Sequence, residues 1–337
     1  FVENMVRATL ISNAGLLLEY REVKLLVDAI YHTTDPFSPP ASRVVRMLAG
    51  EPPFDGVDTL LFTHGHPDHF SPERLMQYLR YRTVRQVVLP VMEPQHWEIL
   101  QPFLEERRIQ WTLLTARMQT ADFQIPGGTV IRPYFTRHID KAFWNMPHGC
   151  YLISFGEKHV LLTADVDYTI ETFEQISCVH INAAFVNPLF FNAFEPEIFK
   201  GTLQPDLLCV YHIPFQEDDR WQICSMLSHN LHRWNQEQGK VAILVGRTNM
   251  WNFSGRSEHY ESSGILLENG FSEPKEFVLT HRVEGDYLIL WQNDNTIVIG
   301  QNQNSEEEIN RSFVEAHQIM WFEDLPAEAL CIMILGI

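Results

Sequence analysis

The sequence predicts a mixed α/β fold in which strands and helices pack in layers. Two observations carry this prediction: short apolar runs typical of buried strands recur along the chain, and segments with helix-start signals separate many of them. The 337 residues suffice for one large domain or two, and the 45% of hydrophobic and 20% of charged residues are ordinary globular values. Such a chain should bury a large core without disulfide bonds.

Three predicted strands open the chain and alternate with polar turns. Gly15 and the Arg21-Glu22 pair mark the turns, and Asp28 closes the third strand. A loop rich in Pro and Thr and a short predicted helix then separate these strands from the next one. The three strands cover residues 8–12, 16–19 and 24–27, the loop covers 33–40, and the helix covers about 41–48.

The fourth predicted strand leads directly into a cluster of histidines. Residues 59–63 form an apolar run, and Ser71 is a good helix N-cap. Pro72 fits the first helical turn because its missing N–H costs nothing there. The histidines between residues 63 and 71 therefore lie in a strand–loop–helix setting.

Further strands and helices alternate up to about residue 250, as is typical of α/β layers. The strands 150–155 and 159–163 are predicted to pair, with a turn at 156–158 between them. The predicted strands cover 86–89, 150–155, 159–163, 207–211 and 241–245, with strand-like segments up to 137, and the predicted helices cover 93–107, 167–175 and 220–234.

The character of the sequence changes after Ser254. A capping box opens a predicted helix over 305–320, and the apolar run 329–337 is predicted as a buried strand, with a truncated membrane anchor as the alternative. We therefore predict a main, catalytic domain over 1–253 and a C-terminal β-rich extension, 254–337, packed on it. The other strands predicted in the extension cover 276–280, 287–291 and 296–300.

The acidic charge disfavours nucleic acid as the main partner. Lys and Arg number 25 against 43 Asp and Glu, so the formal net charge is −18, and such a surface repels phosphate backbones. The five cysteines are scattered, odd in number and without CxxC spacing, which suits a reducing compartment. No apolar run reaches the ~20 residues of a membrane span. We predict a cytoplasmic protein that acts on a small molecule, with a removed signal segment as the alternative because the chain begins at Phe1.

Four potential metal ligands lie within six residues of the histidine loop. Imidazole nitrogens and carboxylate oxygens suit zinc and its neighbours, and such a loop can fold around two adjacent ions. Gly65 would allow a tight turn, and Pro67 would stiffen the loop. Three of the 15 histidines within six residues, interleaved with an Asp, favour a metal loop over a polar surface loop. The four residues are His64, His66, Asp68 and His69.

The motif His64-Gly-His-Pro-Asp-His69 resembles the HxHxDH motif of the metallo-β-lactamase superfamily. The downstream order is also similar, with a single His, an Asp after a strand and a His after a strand at His138, Asp165 and His212. The early strand ending in Asp28 resembles the family's strand whose Asp supports the metal loop. The resemblance covers about residues 1–250 and is greatest to the group related to ascorbate-6-phosphate lactonase and N-acyl-phosphatidylethanolamine phospholipase D.

The resemblance implies a four-layer αββα sandwich with a two-metal site at one sheet edge. Zinc suits the implied ligands, and manganese or iron also fits them. Asp68 and His212 are the implied catalytic residues, with Asp68 orienting the nucleophile or accepting its proton. The implied ligands are His64, His66 and His138 for the first metal, Asp68, His69 and His212 for the second, and Asp165 as the bridge.

Each downstream ligand also has a purely structural interpretation. His138 and His212 could be ordinary histidines at strand ends, and Asp165 could cap the helix that follows it. His148 and Asp167 lie close enough in sequence to replace a ligand of the implied set. The family order favours the set given above.

The loop after His138 is the predicted substrate pocket. Arg137 could bind an anionic group of the substrate or form a surface ion pair instead. Trp144 could contact the substrate or pack within the loop, and His148 could line the pocket.

We therefore expect a hydrolase whose two-metal-bound hydroxide attacks a small ester, lactone or phosphodiester. One alternative is a nuclease or RNA-processing enzyme of the same fold, against which the net charge counts. A two-iron redox enzyme is disfavoured because the second ligand of its motif is typically Glu, where this chain has His66. A non-catalytic metal-binding scaffold is a further alternative, although scaffolds usually lose ligands.

Overall fold

The structure is a computed structural model that covers most of the first 230 residues and several strands beyond them. The predicted loop 33–40 and helix 305–320 lie outside the described residues, as does most of the predicted helix 220–234. The described residues are 6–32, 46–115, 122–125, 127–176, 179–193, 203, 205–214, 219–223, 226–227, 230, 240–244, 259–268, 273–282, 289–292, 297–300 and 331–334.

Strands and short helices alternate along these residues. The strands are β1 (Val6–Ser12), β2 (Gly15–Tyr20), β3 (Val23–Val27), β4 (Thr59–Leu61), β5 (Gln86–Pro90), β6 (Gln110–Leu114), β7 (Phe123–Ile125), β8 (Thr129–Thr136), β9 (His148–Phe155), β10 (Lys158–Leu162), β11 (Ala183–Val186), β12 (Leu207–Val210), β13 (Lys240–Leu244), β14 (His259–Glu268), β15 (Glu273–Arg282), β16 (Ile289–Gln292), β17 (Ile297–Gly300) and β18 (Cys331–Ile334). The helices are α1 (Pro72–Tyr81), α2 (Pro94–Glu106), α3 (Ile170–Glu174), α4 (Phe190–Ala193) and a 3₁₀ turn (Lys141–Phe143), and residues 46–49 are also helical.

The described strands form two large sheets and one separate hairpin. The first sheet has the order β18-β1-β2-β3-β4-β5-β6, and the second has the order β17-β16-β13-β12-β11-β10-β9-β8-β7. Strands β3 to β6 pair in parallel, as do β10 to β13 and β16. Strands β14 and β15 pair only with each other among the described strands.

Adjacent side chains of one strand pack into two different cores. Leu16 and Leu18 of β2 join the apolar cluster shared by the two large sheets, whereas Leu17 joins a second cluster with helix residues. This second cluster includes Leu79 of α1 and Leu104 of α2, which therefore cover the outer face of the first sheet. The alternation follows from the two-residue period of a strand.

Helices α3 and α4 pack against the second sheet, in keeping with the four-layer αββα sandwich that the family resemblance implies. Phe173 of α3 and Phe190 of α4 are fully buried in the cluster shared by the sheets. Burying one such side chain stabilises the fold by about 1.5–3 kcal/mol relative to leaving it exposed. The predicted mixed α/β fold class is confirmed.

Two elements differ from their predictions for physical reasons. Strand β11 was not predicted because its Ala-Ala-Phe-Val sequence is short and alanine is a weak strand former. It forms between the parallel strands β10 and β12, where its four residues are all buried. Helix α3 is shorter than the predicted 167–175. Its N-cap is Thr169, and not Asp165 as the structural interpretation of that residue would have it.

Strands beyond residue 254 continue both large sheets. Strand β16 pairs in parallel with β13, and β18 pairs antiparallel with β1. The division at residue 253 stays a prediction, since these strands join sheets built by the first 253 residues. Among the described residues there is no helix of the length and apolarity needed to cross a membrane.

Candidate metal centre

The predicted ligands meet where several strands of the two sheets end. Strands β8 and β10 both pair antiparallel with β9, so they run in the same direction and end on the same side. The carboxyl ends of parallel strands are where open α/β sheets bind ligands. The residues that follow strand ends here are Asp28 after β3, His64 after β4, His138 after β8, Asp165 after β10 and His212 after β12.

All seven predicted ligands lie together in two neighbouring groups. Within each group, one candidate ligand atom per residue lies within 4.8 Å of all the others. His148 and Asp167, the sequence alternatives, belong to neither group. The first group is His64, His66, His138 and Asp165, and the second group is Asp68, His69 and His212.

Asp165 lies between the two groups and contacts both. Its Oδ2 atom is 3.6 Å from Nε2 of His64 and 3.5 Å from Nε2 of His138, both of the first group. The same oxygen is 3.4 Å from Nε2 of His69, and Oδ1 is 3.0 Å from Nε2 of His212. This carboxylate is therefore placed to interact with ions held by either group.

Backbone hydrogen bonds fold residues 64–70 into a compact turn. The amides of His69 and Phe70 both donate to the carbonyl of His66, at 2.9 Å each. Gly65 is required by close packing rather than by a special backbone angle, because a Cβ there would lie 3.0 Å from the carbonyl oxygen of Val91. The reason for a glycine at position 65 is therefore close packing against Val91, whereas the sequence suggested a tight backbone turn.

Two backbone segments pair next to the first group and bring His138 to Asp165. The amide of Ile139 donates to the carbonyl of Asp165 at 2.7 Å, and the amide of Asp167 donates to the carbonyl of Arg137 at 2.8 Å. The Asp140 amide also donates to Nδ1 of His138 at 2.9 Å, which fixes the ring. Main-chain bonds thereby hold together the segments that follow β8 and β10.

Asp28 supports the second group from behind. Its carboxylate accepts hydrogen bonds from the Thr63 amide at 2.8 Å and the Thr63 hydroxyl at 2.6 Å. Oδ2 of Asp28 is also 2.8 Å from Nδ1 of His69, and the other ring nitrogen of His69 lies 3.1 Å from Nε2 of His212. A carboxylate on the outer nitrogen orients a histidine ring and makes it a better metal ligand.

Several residues at the centre have a left-handed backbone, which non-glycine residues rarely adopt. The φ angles are 56° at Asn13, 46° at Asp28, 45° at Ala164 and 58° at His212. Such conformations cost roughly 1–3 kcal/mol each and tend to occur at functional sites. Their concentration around the two groups indicates that the fold holds this geometry at an energetic cost.

Ala164 is held in its left-handed conformation by two buried side chains. The hydroxyl of Tyr211 accepts a hydrogen bond from the Ala164 amide at 3.0 Å, and Nδ2 of Asn187 donates to the Ala164 carbonyl at 2.7 Å. Both bonds fix the residue that precedes Asp165. Sequence analysis did not identify Tyr211, Asn187 or Asn13, because their contacts join segments distant in the chain.

The pKa values of the site follow from its burial and its charges. Burial lowers the pKa of His64 and of His66, which keeps both rings neutral and able to bind a metal. Burial alone would raise the pKa of Asp165, but His212 and His69 hold that pKa well below its usual value. Burial opposes the charged form of His69, but its neighbouring carboxylates outweigh this and raise the pKa of His69 well above its usual value.

The unpaired nitrogens of the first group fit a bound cation. Nε2 of His66 is buried and has no hydrogen-bond partner among the described residues. Leaving such a group unpaired costs about 1–3 kcal/mol, which coordination to a metal would offset. Histidine nitrogens and carboxylate oxygens at these spacings are a ligand set for zinc, manganese or iron.

The candidate substrate residues lie in different environments. Arg137 pairs with Asp167 at 3.1 Å and lies over the ring of Trp144 at 4.4 Å, so its charge is partly neutralised within the chain. Trp144 is 39% exposed. His148 is fully buried, with Nδ1 2.7 Å from the Thr136 hydroxyl, and burial lowers its pKa to about 3.

Phe143 is an exposed aromatic residue beside the first group that sequence analysis missed. Its ring centroid is 4.4 Å from that of His66 and 5.4 Å from that of His138, and the side chain is 39% exposed. The missed signal was its position five residues after His138, in the same loop as Trp144. Phe143 places an apolar surface directly next to two candidate ligands.

Several solved structures are similar to this chain. CmlA, a diiron β-hydroxylase from Streptomyces venezuelae, matches at 17% identity and a TM-score of 0.48, over 72% of this chain and 53% of its own. A possible metal-dependent hydrolase from Veillonella parvula matches at 12% identity with a TM-score of 0.47, and the match covers 67% of this chain and 94% of the hydrolase. The metallo-β-lactamase fold protein YhfI from Bacillus subtilis matches at 15% identity with a TM-score of 0.45, and the match covers 71% of this chain and 96% of YhfI. The chain spans about half the length of the CmlA structures that it matches.

The sequence comparisons are less informative. A family model of the lipoyl protein ligase A/B catalytic domain matches residues 274–323, a small part of the chain that lies within the predicted extension. No curated protein has a matching sequence.

Proposed function

We propose that this chain is a metal-dependent hydrolase that holds two divalent ions and cleaves a small ester, lactone or phosphodiester. The observation that carries the proposal is the convergence of seven nitrogen and oxygen donors in two groups, with the Asp165 carboxylate between them. The domain over 1–253 would carry this activity, since every one of the seven donors belongs to it. The family resemblance of the His64–His69 motif supports the same chemistry.

The ligand assignment follows the two groups. His64, His66 and His138 would hold one ion, and Asp165 would contact both ions. When bound, two such ions would polarise the scissile bond and lower the pKa of a water molecule to about 7. The second ion would be held by Asp68, His69 and His212.

Asp68 is the best-placed group to handle the proton of the attacking water. Its side chain is 20% exposed, whereas that of His69 in the same group is fully buried. Oδ2 of Asp68 lies 3.5 Å from Nε2 of His69 and 3.7 Å from Nε2 of His212. We assign Asp68 the role of orienting the water or accepting its proton, and His212 the role of the second catalytic residue beside it.

The residues around the centre suit a compact substrate with an apolar part. The exposed ring of Phe143 beside His66 can pack against an apolar group next to the scissile bond. Trp144 lies in the same loop, where Arg137 and Lys141 both approach its ring. Arg137 pairs with Asp167, so we assign it to shaping this wall rather than to neutralising an anionic group. His148 would line the inner side of the pocket, behind His64.

We propose zinc as the ion and the cytoplasm as the location. Imidazole-rich sites suit zinc, although manganese and iron bind the same donors. Cys150 and Cys209 are buried and free, in keeping with the scattered spacing of the five cysteines and with a reducing compartment. The net charge of −18 supports a small substrate over nucleic acid.

Elemental analysis of protein purified without added metal, followed by a panel of chromogenic esters, lactones and phosphodiesters, tests the proposal. We expect two ions per chain and hydrolysis of at least one substrate class. His66→Ala should lose an ion and at least about 100-fold in kcat/KM, equivalent to about 2.7 kcal/mol. His180→Ala is the matched control, because His180 is an exposed histidine that pairs with Asp206 outside the two groups. Fewer than one ion per chain and no hydrolysis would favour the non-catalytic scaffold.

A further inference from the structure

Asn13 lies in the turn between β1 and β2, beside the second group. Its side chain is almost completely buried, and its φ angle of 56° places the backbone in the left-handed region. Asparagine tolerates that region better than most residues with a side chain, while glycine adopts it freely. The turn alone therefore does not require an asparagine.

The side chain and the main chain of Asn13 hold two different members of the second group. Nδ2 of Asn13 donates to the carbonyl of Asp68 at 2.9 Å and approaches its Oδ2 atom at 3.4 Å. The carbonyl of Asn13 accepts a hydrogen bond from the amide of His212 at 3.0 Å. One residue of the first sheet thus ties the histidine loop to the end of β12 in the second sheet.

Burying the amide of Asn13 costs free energy, and the conformation of the turn does not offset that cost. Oδ1 of Asn13 is buried and has no hydrogen-bond partner among the described residues. An unpaired buried acceptor costs about 1–3 kcal/mol, and glycine would avoid it at this position. The contact of its amide with Asp68 is what distinguishes asparagine from glycine or serine here, because the carbonyl that His212 contacts is common to all three residues.

We propose that Asn13 is a positioning residue that sets the geometry of the second group and thereby its affinity for the second metal ion. The inference rests on the proposed function, because it takes Asp68, His69 and His212 as ligands. The amide of Asn13 restrains the Asp68 carboxylate through Oδ2, and the carbonyl of Asn13 restrains the left-handed backbone of His212. Residues that orient ligands in this way typically change metal affinity by 10–100-fold when they are replaced.

Titration of the metal-free full-length chain with zinc alone, in competition with a chromophoric chelator, tests the proposal. Asn13→Gly keeps the left-handed backbone and the carbonyl that His212 contacts, but removes the amide. We expect it to bind the first ion as wild type does and the second ion 10–100-fold more weakly. Circular dichroism checks the fold. If Asn13→Gly does not fold, Asn13→Ser takes its place, because its shorter side chain does not span the distance to Asp68.

Asn182→Ala is the matched control. Asn182 is also nearly buried. Its Nδ2 atom donates a hydrogen bond to Oδ2 of Asp206 at 3.1 Å, and its Oδ1 atom accepts one from the amide of His159. None of its hydrogen bonds among the described residues involves the two groups, so this variant should lose stability and keep both affinities for zinc.

The outcomes separate the inference from the function on which it rests. Wild type with two ions and an Asn13→Gly variant with unchanged affinities would overturn the positioning role alone. Equal weakening of the second ion in Asn182→Ala would also overturn it, because the effect would then follow general stability. Wild type that binds fewer than two ions would contradict the two-metal proposal itself, and this inference with it.

Discussion

Single hydrogen bonds from residues that bind no metal hold the candidate centre in shape. Asp28 fixes His69 and the Thr63 backbone, while Tyr211 and Asn187 fix Ala164 next to Asp165. Each bond is buried, so losing a partner costs more than it would at the surface. Single substitutions of these residues should therefore alter metal binding or stability while every candidate ligand is kept.

Replacing Asp28 should weaken metal binding. Asp28→Ala removes the carboxylate 2.8 Å from Nδ1 of His69, so the ring loses its orienting partner. We expect the affinity for zinc to fall about 10–100-fold, measured by chelator competition. Asp58→Ala is the control, because Asp58 accepts a hydrogen bond from the Lys24 amide at the end of a strand away from the ligands. An unchanged affinity in Asp28→Ala would show that this aspartate acts on stability alone.

Replacing Tyr211 should destabilise the fold through Ala164. Tyr211→Phe leaves the buried Ala164 amide without its acceptor, and we expect the free energy of unfolding to fall by about 1–3 kcal/mol in urea titrations. The experiment contradicts this account if Tyr211→Phe is as stable as wild type.

Ala164→Gly should offset part of that loss, because glycine adopts a φ of 45° without the steric cost that alanine bears. The double variant should therefore unfold at a higher urea concentration than Tyr211→Phe. Ala142→Gly provides the comparison, since Ala142 has no left-handed φ and glycine there should lower stability by about 0.5–1 kcal/mol. A double variant less stable than Tyr211→Phe would show that Ala164 is not strained.

At the scale of elements, local signals predicted helix starts well where a cap and a proline coincide. Ser71 caps α1 by accepting a hydrogen bond from the Arg74 amide at 3.2 Å, and Pro72 takes the first turn, as the sequence indicated. Helix α3 begins three residues later than predicted, because Thr169 accepts from the Thr172 amide and ends the extended segment there. Strand β11 could not be predicted locally, since its neighbours on both sides supply its hydrogen bonds.

The N-cap of α1 should contribute measurably to stability. Ser71→Ala removes the acceptor for the Arg74 amide, and we expect a loss of about 0.5–2 kcal/mol in the free energy of unfolding. Ser71→Gly should cost only a few tenths of a kcal/mol, because glycine is accepted at an N-cap. Chemical denaturation of the two variants decides the matter. Equal stability of Ser71→Ala and wild type would contradict a contribution of this cap to stability.

At the scale of the whole molecule, metal ions would join segments from both sheets. His64 and His69 follow a strand of the first sheet, whereas His138, Asp165 and His212 follow strands of the second. Ions shared by these segments would stabilise the packing of one sheet on the other. Any ligand that binds only the folded state raises stability in this way.

Removing metal should therefore lower the melting temperature. At a free zinc concentration about 1,000 times the dissociation constant, binding adds about 4 kcal/mol, and each kcal/mol shifts the melting temperature of a chain of this size by roughly 1–2 °C. Chelator treatment should lower the melting temperature by several degrees, and added zinc should restore it. His180→Ala should behave as wild type, and His66→Ala should show a smaller shift. Identical melting curves with and without chelator would contradict metal binding between the sheets.

The sequence by itself determined the mixed α/β class, most strand positions and the donors of residues 64–69, because these depend on neighbours along the chain. The family order added His138, Asp165 and His212, which the fold brings to the same edge. Only the tertiary structure decided that Arg137 pairs with Asp167 and that Phe143 faces His66. The same holds for Asn13, whose amide and carbonyl reach two distant segments, because the alignment of two packed sheets sets those contacts and no local pattern encodes it.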